Sequence, residues 1–363
     1  MNPALPALRK PLKASVCEEN MQQLTIGPNE SGQRLDKYLK KALPNAPMSL
    51  LYKQMRNKNL TLNGKKAEGK ETLKEGDVVK CFFSEETFAR FSGREVGNSR
   101  APEYVKAYQT LKGLKVLYED GNILLIHKPA GILSQKARPL DASLNEWMIG
   151  YLLAKGDLRE TDLYTFCPSV CNRLDRNTSG IVICGKSLSG LQAMNRLLKE
   201  RTLRKFYLTI CHGKIEGPKE ISGYLIKDPK TNMVRVLSQE AEDADPIRTR
   251  YVPLKQAADY TLLEVELITG KTHQIRAQLA SAGHALIGDP KYCPEALLKK
   301  DRSGFSLKSQ LLHAIRLEFP SWEKIKDDLP QSEAVLKPLS GLIVTAPLPE
   351  TFTRIQTTLF PER

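Results

Sequence analysis

A single carboxylate stands between two arginines in the segment Cys171-Asn172-Arg173-Leu174-Asp175-Arg176-Asn177-Thr178-Ser179-Gly180. Nearby cations favour the ionised form of an acid, so Asp175 is a candidate anionic nucleophile held between Arg173 and Arg176. Taken alone, Asp175, Asn177, Thr178 and Ser179 are equally ordinary turn formers whose side chains bond nearby backbone. Two further segments change that weighing. In Arg204-Lys205-Phe206-Tyr207-Leu208-Thr209-Ile210-Cys211-His212-Gly213, strand alternation puts Phe206, Leu208 and Ile210 on one face and Lys205, Tyr207 and Thr209 on the other. Tyr207 then lies off the obvious core face, where its ring could stack on a base and its hydroxyl relay a proton. In Leu267-Ile268-Thr269-Gly270-Lys271-Thr272-His273-Gln274-Ile275-Arg276 a strand ends at a glycine turn. Thr272 is expected to cap a helix whose buried stripe is Ile275, Leu279 and Ala282. Arg276 falls near the start of that helix, where the dipole disfavours a cation, so an anionic partner explains it better: Asp175 or an RNA phosphate.

The elements that position these residues are legible in the spacing. Val116-Leu117-Tyr118, the turn Glu119-Asp120-Gly121-Asn122 and the buried-type strand Ile123-Leu124-Leu125-Ile126 open a domain. Strands are predicted at Gly180–Cys184, Phe206–Cys211, Tyr260–Ile268 and Gly341–Val344, and helices near Ser189–Glu200 and Thr272–Ala282. They alternate without a glycine-rich nucleotide loop, so an α+β fold with a mixed sheet is expected rather than a doubly wound nucleotide-binding one.

Upstream, residues 1–30 mix Pro, Lys, Glu and Asn without apolar periodicity, which predicts a flexible tail. Residues 31–84 form a different unit. Leu35, Tyr38, Leu39 and Ala42 recur at helical spacing, and Ser49 is placed to cap a second helix through Leu50, Leu51 and Met55. Leu60-Thr61-Leu62 then meets the turn pair Asn63-Gly64, and Glu75-Gly76-Asp77 leads into Val78-Val79-Lys80-Cys81-Phe82. Residues 85–113 are polar and charged and read as a linker, leaving 114–363 as the second domain.

The net charge of +14 makes a polyanion the natural partner, with nucleic acid ahead of an anionic membrane. Half of that charge is concentrated between Arg34 and Lys80, where twelve basic residues face five acidic ones. Arg34, Lys37, Lys53 and Arg56 are the positions expected to follow a phosphate backbone. No stretch approaches the ~18 apolar residues of a membrane span, and Pro3, Pro6 and Pro11 interrupt the N-terminus, so a soluble cytoplasmic protein is expected. The seven cysteines are read as free thiols. Neither they nor the five histidines cluster at metal-ligand spacing, so no metal is expected.

The order of these motifs carries two resemblances. Residues from Ser31-Gly32-Gln33-Arg34-Leu35-Asp36 through Leu60-Thr61-Leu62-Asn63-Gly64 to Lys74-Glu75-Gly76-Asp77-Val78-Val79 resemble the S-four RNA-binding domain. The Arg173-Leu174-Asp175 turn, Lys205-x-Tyr207 and Thr269–Arg276 resemble the RluA-type pseudouridine synthases. So do Gly288-Asp289-Pro290-Lys291-Tyr292, Leu312-His313-Ala314 and Ala346-Pro347-Leu348-Pro349, a likeness spanning about Val116 to Phe360.

The resemblance implies a mixed, mainly antiparallel sheet and isomerisation of uridine to pseudouridine by base flipping, without a cofactor. It implies Asp175 as nucleophile, Tyr207 as active-site tyrosine, Arg276 as the aspartate's basic partner and Arg173 as the residue that displaces the target base. Lys205 and Lys271 are expected to be phosphate contacts or surface charges. Asn172 and Lys271 depart from the His and Arg usual in the family, which bears on local hydrogen bonds and RNA contacts. The implied partner is ribosomal RNA of the large subunit or a ribosome-assembly intermediate, met by a monomer, with transfer RNA the nearer rival. A non-catalytic RNA-binding protein would not need Asp175, Tyr207 and Arg276 together. A glycoside hydrolase would need a second carboxylate beside the first.

Overall fold

The computed structural model describes residues 21–93, 101–228, 231 and 233–361, which divide into two units. The first comprises the described residues up to Gly93 together with 159–167, and the second the rest.

In the first unit, strand β1 (Gln22–Thr25) precedes helices α1 (Leu35–Ala42) and α2 (Met48–Arg56), followed by β2 (Leu60–Leu62), β3 (Lys65–Lys66) and β4 (Val78–Cys81). The apolar spacing Leu35, Tyr38, Leu39, Ala42 becomes the buried stripe of α1. That stripe shares one core with Leu51 and Met55 of α2 and with Leu60 and Val79 of the sheet, ordered β1-β4-β2-β3. Asn63 and Gly64 both adopt positive φ, as a tight hairpin between β2 and β3 requires.

Three expectations change here. The tail does not extend to residue 30, because β1 pairs antiparallel with β4 from Gln22↔Cys81 to Thr25↔Val78, and Ile26 is buried; residues 1–20 lie outside the described set. Helix α2 starts at Met48 after Pro47, so Ser49 is inside it rather than its cap. The expected linker holds two helices, α3 (Glu85–Ser92) and α4 (Ala101–Thr110), while 94–100 are outside the described residues. Ser84 caps α3 by accepting from the Thr87 amide, and Phe88 joins the core, a signal too short to stand out among charges.

The second unit continues with β5 (Lys115–Glu119), β6 (Ile123–Lys128), α5 (Leu144–Lys155), β7 (Ser169–Val170), β8 (Ser179–Gly185), α6 (Leu188–Lys199) and β9 (Arg204–His212). Strands β10 (Lys219–Lys227), β11 (Val234–Leu237), β12 (Asp245–Gln256) and β13 (Tyr260–Leu267) follow, β10 pairing with both β11 and β12, and β12 with β13. Helices α7 (Gln274–Ser281) and α8 (Glu295–Phe305), strand β14 (Leu312–Glu318), helix α9 (Glu333–Leu336), strand β15 (Ile343–Thr345) and helix α10 (Glu350–Leu359) complete it. Helix α4 belongs to this unit and lies against α5: a Cβ at Gly150 would sit 2.1 Å from the Tyr104 carbonyl oxygen, so only glycine permits the approach.

Eleven strands form one sheet in the order β11-β10-β12-β13-β9-β14-β8-β6-β5, with β15 on β14 and β7 on β8. All its pairings are antiparallel except β14 with β8, so the fold is α+β with a mixed, mainly antiparallel sheet. At that parallel contact Gly180 has φ +116°, and a Cβ there would come 2.2 Å from the Ala314 carbonyl oxygen. Gly180 thus lets β14 close on β8, the strand that begins just after the Asp175 turn.

Candidate active site

The Asp175 turn is built from its neighbours' backbone. Ser134 Oγ accepts from the Leu174 amide at 3.0 Å and donates to the Leu174 carbonyl at 2.9 Å, and Leu174 is buried beneath the turn. Lys128 is fully buried and its ammonium donates to the carbonyls of Pro129, Ile132 and Arg176 at 3.1, 2.8 and 3.1 Å. A charge in that position costs desolvation that these carbonyls and nearby Asp175 only partly offset, so burial pushes the Lys128 pKa down to about 7. Asn172 accepts from the Ile183 amide at 2.8 Å, so the departure from His at this position ties the turn to β8.

The two sequence neighbours are not what holds Asp175. Arg176 turns away and donates from Nε to the Gly131 carbonyl at 3.1 Å, and Arg173 is exposed at the rim of a cleft of about 870 Å³. Neither pairs with Asp175 among the described residues. The cation that does is Arg276, whose Nη1 donates to Asp175 Oδ2 at 2.9 Å across 101 residues of sequence.

Arg276 is itself locked by a residue that had no assigned role. Its Nε and Nη2 donate to the two oxygens of Asp289 at 2.7 and 2.8 Å, a bidentate fork on a carboxylate with no solvent exposure. Burial opposes the guanidinium's charge, but Asp289 and then Asp175 outweigh it and raise the Arg276 pKa. The arginine carbon also lies 5.2 Å from the centre of the Tyr292 ring. The Tyr292 hydroxyl accepts from the Val234 amide at 3.0 Å and shares a 2.9 Å hydrogen bond with His273 Nδ1, leaving His273 Nε2 3.8 Å from Asp175 Oδ2. Nothing local in Gly288-Asp289-Pro290 marks Asp289 as buried, so the sequence carries no signal for this role.

Helix α7 begins differently from expectation. His273, with φ 54°, precedes its first residue, and Thr272 does not cap it. Gln274 fastens the start instead: its Oε1 accepts from the Lys271 amide at 3.1 Å and from Thr269 Oγ1 at 2.8 Å, and its Nε2 donates to the Arg248 carbonyl at 3.1 Å. The helix is buried from Gln274 through Leu279 rather than along one stripe, and Ala282 is exposed. Arg276 is therefore rigid on three sides before any substrate arrives.

Tyr207 stands in the same cleft with Asp175, Arg276, Arg173, Lys205 and Lys271. It is not half-exposed: 6% of its surface reaches solvent, because the cleft wall covers the face that strand alternation left for water. Its hydroxyl has no hydrogen-bond partner among the described residues, and burial followed by the field of Asp175 raises its pKa, so it is a neutral donor. Lys205 is likewise buried, with its pKa lowered by burial and by Arg201. On the opposite face of β9, Phe206 lies under Arg316 and Arg204, 4.0 and 4.7 Å from its ring centre, amid Glu264, Glu266 and Glu318. The face expected to be core is there an ion-pair lattice.

Lys271 pairs with Asp245 at 2.6 Å in an exposed position, a contact worth little to stability. In the first unit Arg34 is engaged by Asp36 at 2.6 Å, which also accepts from the Tyr52 hydroxyl at 2.9 Å. Lys37, Lys53 and Arg56 are exposed and make no ion pair among the described residues.

Known proteins resemble this chain in sequence and in fold. Residues 122–281 fit the family model described as RNA pseudouridylate synthase. An uncharacterized RNA pseudouridine synthase of Mycoplasma pneumoniae is 30% identical over 298 residues, covering 81% of this chain and 86% of that protein. Ribosomal large subunit pseudouridine synthase C of Pasteurella multocida is 29% identical over 333 residues, covering 90% of this chain and 95% of that one. A solved structure of human RNA pseudouridylate synthase domain containing 4 shares the fold, with a TM-score of 0.52 and 19% identity over 72% of this chain and 97% of that chain. The chain belongs to the RNA pseudouridylate synthase family and is an isomerase that acts on RNA. Among the described residues no helix is long and apolar enough to cross a membrane.

Proposed function

We propose that this chain converts uridine to pseudouridine in large-subunit ribosomal RNA, with Asp175 as the nucleophile. The bond from uracil nitrogen 1 to ribose carbon 1′ breaks, carbon 5 bonds to carbon 1′, and the hydrogen leaving carbon 5 is balanced by one gained at nitrogen 1. No net oxidation occurs, and the step asks for a positioned carboxylate and walls that keep the detached base. The observation that carries the proposal is the 2.9 Å contact of Asp175 with Arg276, made inside a cleft that Tyr207 also lines. Arg276 aims the carboxylate through its hydrogen bond, while Tyr207 receives the flipped base on its ring and offers a neutral hydroxyl. Arg173, exposed at the rim, fills the gap that the base leaves in the stack.

Relatives titled as ribosomal large-subunit enzymes support the substrate, and the exposed Lys37, Lys53 and Arg56 support a role for the first unit as an S-four-like docking module. Lys205 and Lys271 are assigned to the RNA path near the cleft, with Arg34 contributing beside Lys37. The protein is taken to act as a cytoplasmic monomer on ribosomal RNA or an assembly intermediate. Pseudouridine mapping in total RNA from cells with and without this protein tests the substrate. Loss of specific large-subunit sites is expected. Loss confined to transfer RNA would move the substrate, and no loss in any RNA would contradict the activity.

A further inference from the structure

Behind the Asp289 loop lies a second cluster that takes no part in the proposed chemistry. His212 ends β9, Asp301 lies within α8, and Cys293 closes the loop between Gly288 and α8. The histidine nitrogen, the thiol sulfur and a carboxylate oxygen all lie within 4.8 Å of one another. His212 Nε2 is 3.0 Å from Asp301 Oδ2, and that oxygen also accepts from the Gly288 amide at 2.8 Å. The second oxygen, Asp301 Oδ1, is buried without any hydrogen-bond partner, on a residue with no solvent exposure. An unpartnered oxygen of a buried carboxylate is costly, and a cation is one of the few partners that removes the cost.

We propose that His212, Cys293 and Asp301 form a structural zinc site that pins the Gly288–Cys293 loop. The donor set suits Zn²⁺: a neutral imidazole, a thiolate and a carboxylate balance its charge, with Cys293 releasing its proton to solvent on binding. Zn–N and Zn–O bonds of about 2.0–2.2 Å and a Zn–S bond of about 2.3 Å put tetrahedral donors about 3.3–3.8 Å apart, so the three groups need move by no more than about 1 Å. Cys293 is only half-buried, which leaves room for water as fourth ligand. The loop so pinned carries Asp289, whose carboxylate fixes Arg276. Sequence spacing hid the cluster because its members lie 81 and 8 residues apart.

Native mass spectrometry of the full chain with added ZnCl2 and alkylation of Cys293 followed by peptide mass spectrometry test the site. One bound Zn²⁺ and slowed alkylation of Cys293 are expected in the wild type. Cys293→Ser and Asp301→Asn should each weaken zinc binding by more than about tenfold. Cys167→Ser, which removes an exposed thiol elsewhere, should leave binding unchanged. The proposal is overturned if zinc leaves Cys293 alkylation unchanged in the wild type. Equal protection in Asp301→Asn, or loss of binding only in Cys167→Ser, overturns it as well.

Discussion

Arg276 is anchored on Asp289 before it reaches Asp175. Two hydrogen bonds of 2.7 and 2.8 Å hold the guanidinium to a fully buried carboxylate, and Nη1 is left to donate to Asp175 at 2.9 Å. Asp289 therefore decides where the positive charge stands. Removing one member of a buried pair strands the other, at a cost of about 3–5 kcal/mol. Asp289→Ala should lose stability on that scale in urea unfolding. Asp289→Asn keeps the shape but loosens the fork, so kcat should fall while KM for RNA changes little. Unchanged kcat in Asp289→Asn would argue against the anchoring role.

Tyr207 has a ring to stack and a hydroxyl with no partner among the described residues. These functions separate by substitution. Tyr207→Phe keeps the ring and is expected to fold normally, bind RNA as the wild type does and turn over more slowly. Tyr207→Leu loses the stacking surface too, worth about 1–3 kcal/mol per base, and should also bind more weakly. Wild-type turnover by Tyr207→Phe would show that the hydroxyl has no part in the reaction.

Lys128 links the turn to pH. Burial holds its pKa at about 7 in the folded chain, against an ordinary value of 10.5. Between these values the unfolded chain keeps a proton that the folded chain has released, so stability rises with pH across this window and the gain is absent below pH 7. The slope from this group is at most about 1.4 kcal/mol per pH unit. Urea denaturation between pH 7 and 9.5 should show a shallower rise for Lys128→Met than for the wild type. Equal slopes would mean that Lys128 titrates as an ordinary surface lysine.

Lys37, Lys53 and Arg56 are assigned to phosphate. Each contact with single-stranded RNA contributes about 0.7 to the slope of log affinity against log salt. The triple alanine variant should therefore flatten that slope by about 2 and weaken binding at low salt. A slope equal to the wild type would remove these residues from the RNA path.

What could be read from the sequence followed the range of each physical signal. The stripe Leu35, Tyr38, Leu39, Ala42 and the run Ile123–Ile126 announce their elements because their periodicity is local. Tyr207 and Arg276 stood out because each sits badly with its own element. Asp289 and Lys128 were not assigned because their partners come from distant strands and loops, and a buried charge looks the same in sequence as a solvated one. Arg176, next to Asp175 in sequence, bonds the Gly131 carbonyl instead, while Arg276, the basic partner that the resemblance implies, makes the contact across 101 residues. β10 and β12 went unassigned although residues 246–252 alternate exposed and buried, with Arg250 pairing with Glu220 and Glu266 on the exposed face.

The most direct test is pseudouridine formation by Asp175→Ala on large-subunit ribosomal RNA, assayed beside RNA binding and unfolding. Arg276 remains held by Asp289 in that variant, so the fold and RNA affinity should persist. Pseudouridine formation is predicted to be abolished. Product formed by Asp175→Ala would contradict Asp175 as the nucleophile.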